Sequence, residues 1–492
     1  MTRAEATPPD DIEALAKGGR TNIGGFFIRL IARIPFLFIA GQWYGAEALG
    51  RMAYAVLVVE FAAQMATLGL KRGLALHLAG EGADDRIWDG ILLVLLASLI
   101  PTAGLMFVPQ IMFPNSGING LELLLPLVIP ALALTDTMLA ALAFRYDVGA
   151  TVRAKAIVEP WTISIAAFGL AWYSLRDGLL IAYAMSMGTA FVTAAIPFFR
   201  AYGPPHGKAT SLTGLYRLGR RNLPLAAADG IEWGSRRLDL AILGLFVSPA
   251  TVGIYYVAQQ VASLPQKLKT SFDPILGPVI TRKLEEGDRA AVARQVSQVG
   301  FWIIAAQAGI ALALGIPGEA LMGLVGPKSA FVGGNAALAF LLLAEVAAAV
   351  AVVSEAALVY IARYRNFLIS SGMIGVQAAL TFAFLLWSEA RGWPELYQAA
   401  TPAAALALSL GIASVVKSNL ASRLLGGGIS VWRWPLVWAA LAAATVGLLA
   451  IQLPEWAELI FGIPAILCAY GLVIWRWGFG EEDRTLFRKA SA

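Results

Sequence analysis

Charged side chains set within long apolar stretches are the residues of this sequence whose types and spacing suit chemistry. Arg29 and Arg33 stand four residues apart and share one helix face. Two guanidinium groups on one face suit a diphosphate, since each binds phosphate oxygens bidentately. The alternative is that both snorkel to the headgroups, because they lie in the first half of their stretch. Further along, Asp229, Glu232, Arg236, Arg237 and Asp239 gather around Trp233. Asp229, Glu232 and Arg236 fall at i, i+3 and i+7, a single stripe, and Glu232 and Arg236 are also spaced to pair within the helix. Trp233 offers a face for a ring-shaped ligand or packs as a core aromatic. Glu60, Asp136 and Glu345 are further intramembrane acids suited to binding H⁺ or Na⁺. Asp136 has Thr135 and Thr137 beside it as local partners, and Glu355 has Arg363 and Arg365 within reach. Gln259 suits a hydroxyl-rich ligand or an inter-helix hydrogen bond.

The elements that carry these charges are membrane spans. Of 492 residues, 58% are hydrophobic and 14% charged, and the mean hydropathy is +0.70. The apolar residues fall in blocks such as 91–108, 121–144 and 336–361. Roughly 18 or more apolar residues are what a hydrocarbon layer about 30 Å thick requires of a helix. The blocks predict about fourteen spans, at 22–41, 52–70, 88–108, 121–143, 152–173, 178–198, 222–246, 252–273, 298–316, 334–360, 366–387, 399–417, 434–452 and 457–475. With the N-terminus in the cytoplasm, only Arg51, Arg176, Lys328 and Arg391 of the 37 Lys and Arg fall outside, so the positive-inside rule selects that orientation for both ends. The net charge of +5 is therefore a topology signal, and no case for nucleic acid follows. A charge near a helix centre costs about 2.5–3.5 kcal/mol on insertion scales, so each needs a partner or a watery cavity. Cys468 is the one cysteine and His77 and His206 the two histidines, which leaves no metal-ligand set. Residues 1–20 read as a polar cytoplasmic tail, with the first span an uncleaved signal-anchor.

Two long cytoplasmic connections, 200–222 and 270–300, punctuate the chain. Gly203-Pro204-Pro205 and the basic run at 216–221 mark 200–221 as a linker. It divides an N-lobe of six spans (21–199) from a C-lobe of six (222–420). Spans thirteen and fourteen (421–478) and a cytoplasmic tail (479–492) follow. An echo accompanies the division: Gly41-x8-Gly50-x4-Ala55 recurs as Gly244-x8-Gly253-x4-Ala258. Either it marks two lobes related by a parallel pseudo-twofold axis with a cavity between them, or it reflects the abundance of Gly and Ala.

The stretch RLDLAILGLFVSPATVGIYYVA at 237–258, with ASLP at 262–265 and FDPILGP at 272–278, resembles the mid-chain signature of Wzx-like bacterial polysaccharide flippases. These belong to the multidrug/oligosaccharidyl-lipid/polysaccharide (MOP) superfamily. GAEALG at 45–50 and LGL at 68–70 resemble their first hairpin. The resemblance implies an all-α polytopic fold of two pseudo-symmetric six-helix lobes plus two C-terminal helices. It implies movement of a polyprenyl-diphosphate-linked oligosaccharide from the inner to the outer leaflet of the bacterial inner membrane, coupled to a cation. On that reading Arg29, Arg33, Arg236, Arg237, Trp233 and Gln259 meet substrate, and Glu60, Asp136, Asp229, Glu232 and Glu345 carry the coupling ion. Partners would be membrane lipids and the polymerase and glycosyltransferases of the same pathway, with no cofactor beyond H⁺ or Na⁺. Two rivals stay open, a multidrug or small-solute antiporter of the same superfamily and a flippase for the lipid-linked peptidoglycan precursor. An enzyme is disfavoured: the external loops are short, that at 317–333 carrying only Glu319 and Lys328 as charges, and no phosphate loop or Ser/His/Asp arrangement is present.

Overall fold

The computed structural model describes residues 34–78, 83–205, 211–327, 330–480 and 483, and among them all regular structure is helical. Nine segments of the described residues are long and apolar enough to cross a membrane. The first of these, Ile34–Leu74, contains the second predicted span and residues 34–41 of the first, whose residues 22–33 lie outside the described ones. Four predicted spans fall on helices that miss this measure. Val152–Val158 is a π-helical stretch that interrupts the fifth, and polar residues dilute the seventh and eighth. The thirteenth, Pro435–Ala450, has only 16 residues. The chain is thus an all-α polytopic membrane protein.

In chain order the helices are α1 (residues 34–44), α2 (Gly45–Ala66), α3 (Leu70–Leu78), α4 (Ala83–Phe107), α5 (Val128–Phe144), α6 (residues 148–170), α7 (Gly178–Tyr202) and α8 (Leu212–Leu243). Then come α9 (Pro249–Glu285), α10 (Arg289–Gly315), α11 (Gly318–Val325), α12 (Asn335–Ile361), α13 (Arg363–Ala390), α14 (Glu395–Leu425), α15 (Pro435–Ala450) and α16 (Glu455–Gly478). The basic run at 216–221 forms the early turns of α8 and is not loop; Pro224 lies inside the same helix. Two breaks are set by left-handed backbone. Gly45 (φ +79°) separates α1 from α2, and Leu68 (φ 48°) with Gly69 (φ 74°) separates α2 from α3. A branched, non-glycine residue such as Leu68 rarely holds that conformation, so the packing around it enforces the break.

The chain divides into two compact units, one of Met1–Tyr44 with Tyr54–Trp233 and one of Gly45–Ala53 with Gly234–Ala492. In the first unit α7 packs on α5 and α6, and α3 lies on α4 and α5. The hydroxyl of Tyr44 donates to the Ala167 carbonyl at 2.6 Å and that of Tyr202 to the Ala141 carbonyl at 2.7 Å, so two buried phenols tie helices together. In the second unit α12 packs on α9, α10 and α14 around a core that includes Val292, Val296, Ala349 and Val353. Lys417 of α14 reaches Glu355 of α12 at 2.8 Å and the Ser370 hydroxyl of α13 at 2.9 Å. Asn366 also donates to Glu355, at 3.3 Å. Glu355 is thereby paired with Lys417, where the sequence pointed to Arg363 or Arg365. Local spacing favoured those arginines, but Lys417 is buried and its ammonium needs the carboxylate more.

The glycines of the sequence echo meet within the second unit. A Cβ on Gly50 would lie 1.7 Å from the Pro249 carbonyl oxygen, and one on Gly253 would lie 2.0 Å from the Ala46 oxygen. Ala46 and Pro249 occupy matching places in the two copies of the motif, so the contact is reciprocal, as a local twofold relation requires. Backbone meets backbone there, and only glycine at both positions permits it.

The appended helices α15 and α16 pack on α10 through Phe301, Ala305, Ala313, Ala439, Ala443 and Tyr470. Beyond α16, Asp483 pins the chain to α10 and to the segment before α15. Its carboxylate meets Arg433 Nη1 at 2.6 Å and accepts from Trp302 Nε1 at 2.8 Å, Gln298 Nε2 at 3.2 Å and the Gly480 N–H at 2.9 Å. Burial raises the Asp483 carboxyl, and these four donors outweigh it and hold it below the usual carboxylate range.

Two outcomes follow. Gly50→Ala and Gly253→Ala each lower stability by about 1–3 kcal/mol in detergent, read as thermal unfolding, because backbone must separate. Gly104→Ala, whose Cβ meets open space, stays within about 1 kcal/mol of the parent. The stability that Asp483 contributes is full above its unfolded value near ~3.9 and is lost as pH falls through its lower folded value. The unfolding temperatures of the parent and Asp483→Asn therefore differ by a constant amount from neutral pH down to about pH 5, and converge in stronger acid.

Candidate functional site

The charges of the first unit form one connected set, built by the break before α3. Gly69 and Gly73 present backbone to α8. A Cβ on Gly69 would lie 2.6 Å from the Ala226 nitrogen, and one on Gly73 would lie 2.1 Å from Asn222 Oδ1. That close approach sets Arg72 against α8. Its Nε lies 2.8 Å from Asp229 Oδ1, and its Nη2 pairs with Glu232. Asp229 is fully buried, whereas Arg72 is half-exposed, so the guanidinium covers the carboxylate and keeps one side open.

Lys71, the neighbour of Arg72, reaches the other way to Asp136 on α5 at 3.2 Å. Lys155 of α6 binds the second oxygen of Asp136 at 3.2 Å and lies 3.4 Å from Glu159, one turn on. Glu60 on α2 adds its field to Lys155, and Lys71 adds its own to Asp229. Lys155 sits in the π-helical stretch Val152–Val158, a distortion of the helical ladder that often accompanies functional positions. Three cations and five carboxylates thus converge from α2, α3, α5, α6 and α8. The acids outnumber the cations by two, so cations are shared: Arg72 between Asp229 and Glu232, and Lys155 between Asp136 and Glu159.

The predicted residues are distributed as follows. Asp136, Asp229, Glu232, Glu60 and Trp233 belong to this set or adjoin it. Asp136 is bound by two lysines; the Thr135 and Thr137 hydroxyls donate to the Ala131 and Ala133 carbonyls, so the local satisfaction weighed for it is replaced by long-range ion pairs. The Trp233 ring packs on Phe61 with centroids 4.6 Å apart. Arg236, Arg237, Gln259 and Glu345 lie in the second unit. There Gln259 Nε2 donates to Asp239 at 3.3 Å, and the Tyr255 hydroxyl donates to the same carboxylate at 2.5 Å. Arg237 adds its charge to Asp239, and Glu345 carries a buried carboxylate oxygen on α12. Arg29 and Arg33 lie outside the described residues. Sequence reasoning missed Lys71, Arg72 and Lys155. Lys155 had a legible signal, a lysine inside a predicted span with Glu159 four residues on, but Lys71 and Arg72 read as loop until the Leu68–Gly69 break folds them back. Among the described residues no group of three His, Cys, Asp or Glu is placed to hold a metal ion.

Residues 44–312, more than half of the chain, match the family described as polysaccharide biosynthesis protein, and the chain belongs to that family. Its fold is that of MOP-superfamily transporters. A solved structure of the lipid II flippase MurJ in an inward closed conformation superposes with a TM-score of 0.68 at 13% identity, covering 95% of this chain and 99% of that one. An inward-facing multidrug-resistance MATE transporter of the MOP superfamily gives 0.60 at 12% identity, over 81% of this chain and 94% of that one. A MOP-superfamily transporter from Pyrococcus furiosus gives 0.56 at 12% identity, over 84% and 95%. No curated protein sequence matches. The solved relatives are transporters and flippases.

Removing Arg72 leaves the buried Asp229 charge uncovered. Arg72→Ala therefore lowers stability by about 1–3 kcal/mol, the half-exposed guanidinium keeping the loss below that of a fully buried pair. The double variant Arg72→Ala/Asp229→Asn recovers most of it, which a double-mutant cycle by thermal unfolding measures.

Proposed function

We propose that this protein flips a polyprenyl-diphosphate-linked oligosaccharide from the inner to the outer leaflet of the bacterial inner membrane, by alternating access coupled to H⁺ or Na⁺. The product would feed synthesis of a surface polysaccharide, an O-antigen or exopolysaccharide, alongside the pathway's glycosyltransferases and polymerase. The family supports the polysaccharide side of this reading. The observation that carries the rest is Lys71, Arg72 and Lys155 held in place by carboxylates within an apolar helical unit. An arriving diphosphate offers these cations stronger acceptors than Asp136, Asp229 and Glu232, because phosphate oxygens take guanidinium bidentately. The carboxylates it displaces must then find another positive partner, and H⁺ or Na⁺ from the gradient is the available one. Substrate thus takes the cations, and the coupling ion takes the acids they leave.

A second reading follows from the fold shared with a lipid II flippase: the peptidoglycan-precursor lipid meets the same cations through the same diphosphate. Deletion of the gene separates the two. Accumulated polyprenyl-diphosphate oligosaccharide with loss of surface polysaccharide, rescued by the parent chain but not by Lys155→Ala or Arg72→Ala, is the expected outcome. Accumulated peptidoglycan precursor favours the second reading, and unchanged lipid pools with an intact surface contradict both. Vesicle flipping by Asp136→Asn and Asp229→Asn tests the coupling: their rate loses its dependence on the pH gradient, whereas retained dependence in both removes the carboxylates from the coupling path.

A further inference from the structure

A cavity of about 790 Å³ opens at one end of the second unit, between the start of α10, the turn after α14, the segment before α15 and the residues after α16. Its size falls within the roughly 300–1,000 Å³ of small-molecule sites. The charges that line it are Arg294, Arg433 and Asp483. Arg433 is committed: it pairs with Asp483 at 2.6 Å, donates to the Gly478 carbonyl at 2.7 Å and lies 3.9 Å above the Phe301 ring. Arg294, on the second turn of α10, is exposed and pairs with no carboxylate among the described residues. One positive charge is therefore left over in the described lining.

The opposite wall is a glycine-rich turn. Gly426 (φ +70°) ends α14, and Gly427 and Gly428 turn the chain along the cavity. A Cβ on Gly428 would meet nothing within 4 Å, so the backbone there faces open space. Ser297 Oγ is fixed, accepting from the Ser430 N–H at 3.2 Å and donating to the Ala293 carbonyl at 2.8 Å. That bond holds the glycine-rich turn against α10.

The segment before α15 carries exposed Trp432 and Trp434, and the end of α16, just before the lining residue Gly480, carries exposed Trp475 and Trp477. Tryptophans concentrate at the headgroup level of a bilayer, and basic pockets between helices at that level bind lipid phosphates. We propose that this cavity binds a phosphate-bearing anion, the headgroup of an anionic phospholipid, with Arg294 as the guanidinium that meets the phosphate. Arg433 and Asp483 form its fixed wall, and the open space at the Gly427–Gly428 turn leaves room for the headgroup. This site is separate from the cations of the first unit and does not depend on the transport reading.

The test uses the full chain in a neutral detergent, titrated with short-chain phosphatidylglycerol while thermal unfolding is followed. Saturable stabilisation is expected, weakened about tenfold or more in apparent affinity by Arg294→Ala and unchanged by Arg282→Ala. Arg294 is exposed, so its truncation leaves the fold intact. The matched short-chain phosphatidylcholine has a phosphate but no net charge, and stabilises much less. Inorganic phosphate stabilising as well as the lipid, again through Arg294, assigns a soluble phosphate-bearing ligand to the same site. Equal protection by the two lipids, or identical titrations of the parent and Arg294→Ala, overturns the proposal.

Discussion

An ion placed in a hydrocarbon layer must be answered by another ion, and the first unit is organised by that requirement. Asp229 is buried completely, and nothing about an apolar helix bundle tolerates such a group alone. Arg72 answers it, and everything that brings Arg72 there is needed for the answer: the left-handed pair Leu68–Gly69, the glycine faces of α3, and the approach to Asn222 and Ala226. The same turn carries Lys71 to Asp136, which Lys155 meets from the π-helical stretch of α6. The helix distortions and the charges are thus one feature seen from backbone and from side chain.

Close packing supplies the other constraint. Where apolar side chains have only lipid as the alternative, helices gain from contact surfaces that let backbones touch. Gly50 against Pro249 and Gly253 against Ala46 take this to its limit, and the reciprocity of that contact gives the sequence echo a structural meaning. Small residues serve the same end where α15 and α16 lie on α10: a Cβ on Gly309 would meet the Tyr470 ring at 2.9 Å, and one on Gly447 would meet Ile316 at 2.6 Å.

The all-helical membrane architecture was legible because hydropathy acts over whole helices. Most of the apolar blocks fall on helices long and apolar enough to cross a membrane, the glycine echo located a real contact, and Asp136, Asp229 and Glu232 stood out as costly groups. The partners of those acids were not legible, since each lies on another helix and pairing depends on tertiary approach. Lys71 and Arg72 follow an apolar span and read as ordinary inner-end cations; a two-residue backbone break turns them inward. Asp136 had threonines on either side, but hydroxyls donating to their own helix carbonyls are satisfied without it, and two ammonium groups win the carboxylate. Gln259 was read toward a ligand or a neighbouring helix, and it takes a carboxylate, Asp239.

The central claim is that the cations of the first unit meet the diphosphate of the transported lipid. Its most direct measurement is leaflet-to-leaflet movement of a fluorescent polyprenyl-diphosphate oligosaccharide in vesicles containing the purified protein. The account predicts rapid movement by the parent chain and near-complete loss in the charge-balanced pair Lys155→Met/Glu159→Gln, which deletes a cation while Lys71 still answers Asp136. Competition by free diphosphate would accompany it in the parent alone. Full movement by that pair, in protein shown to be folded, would contradict the account.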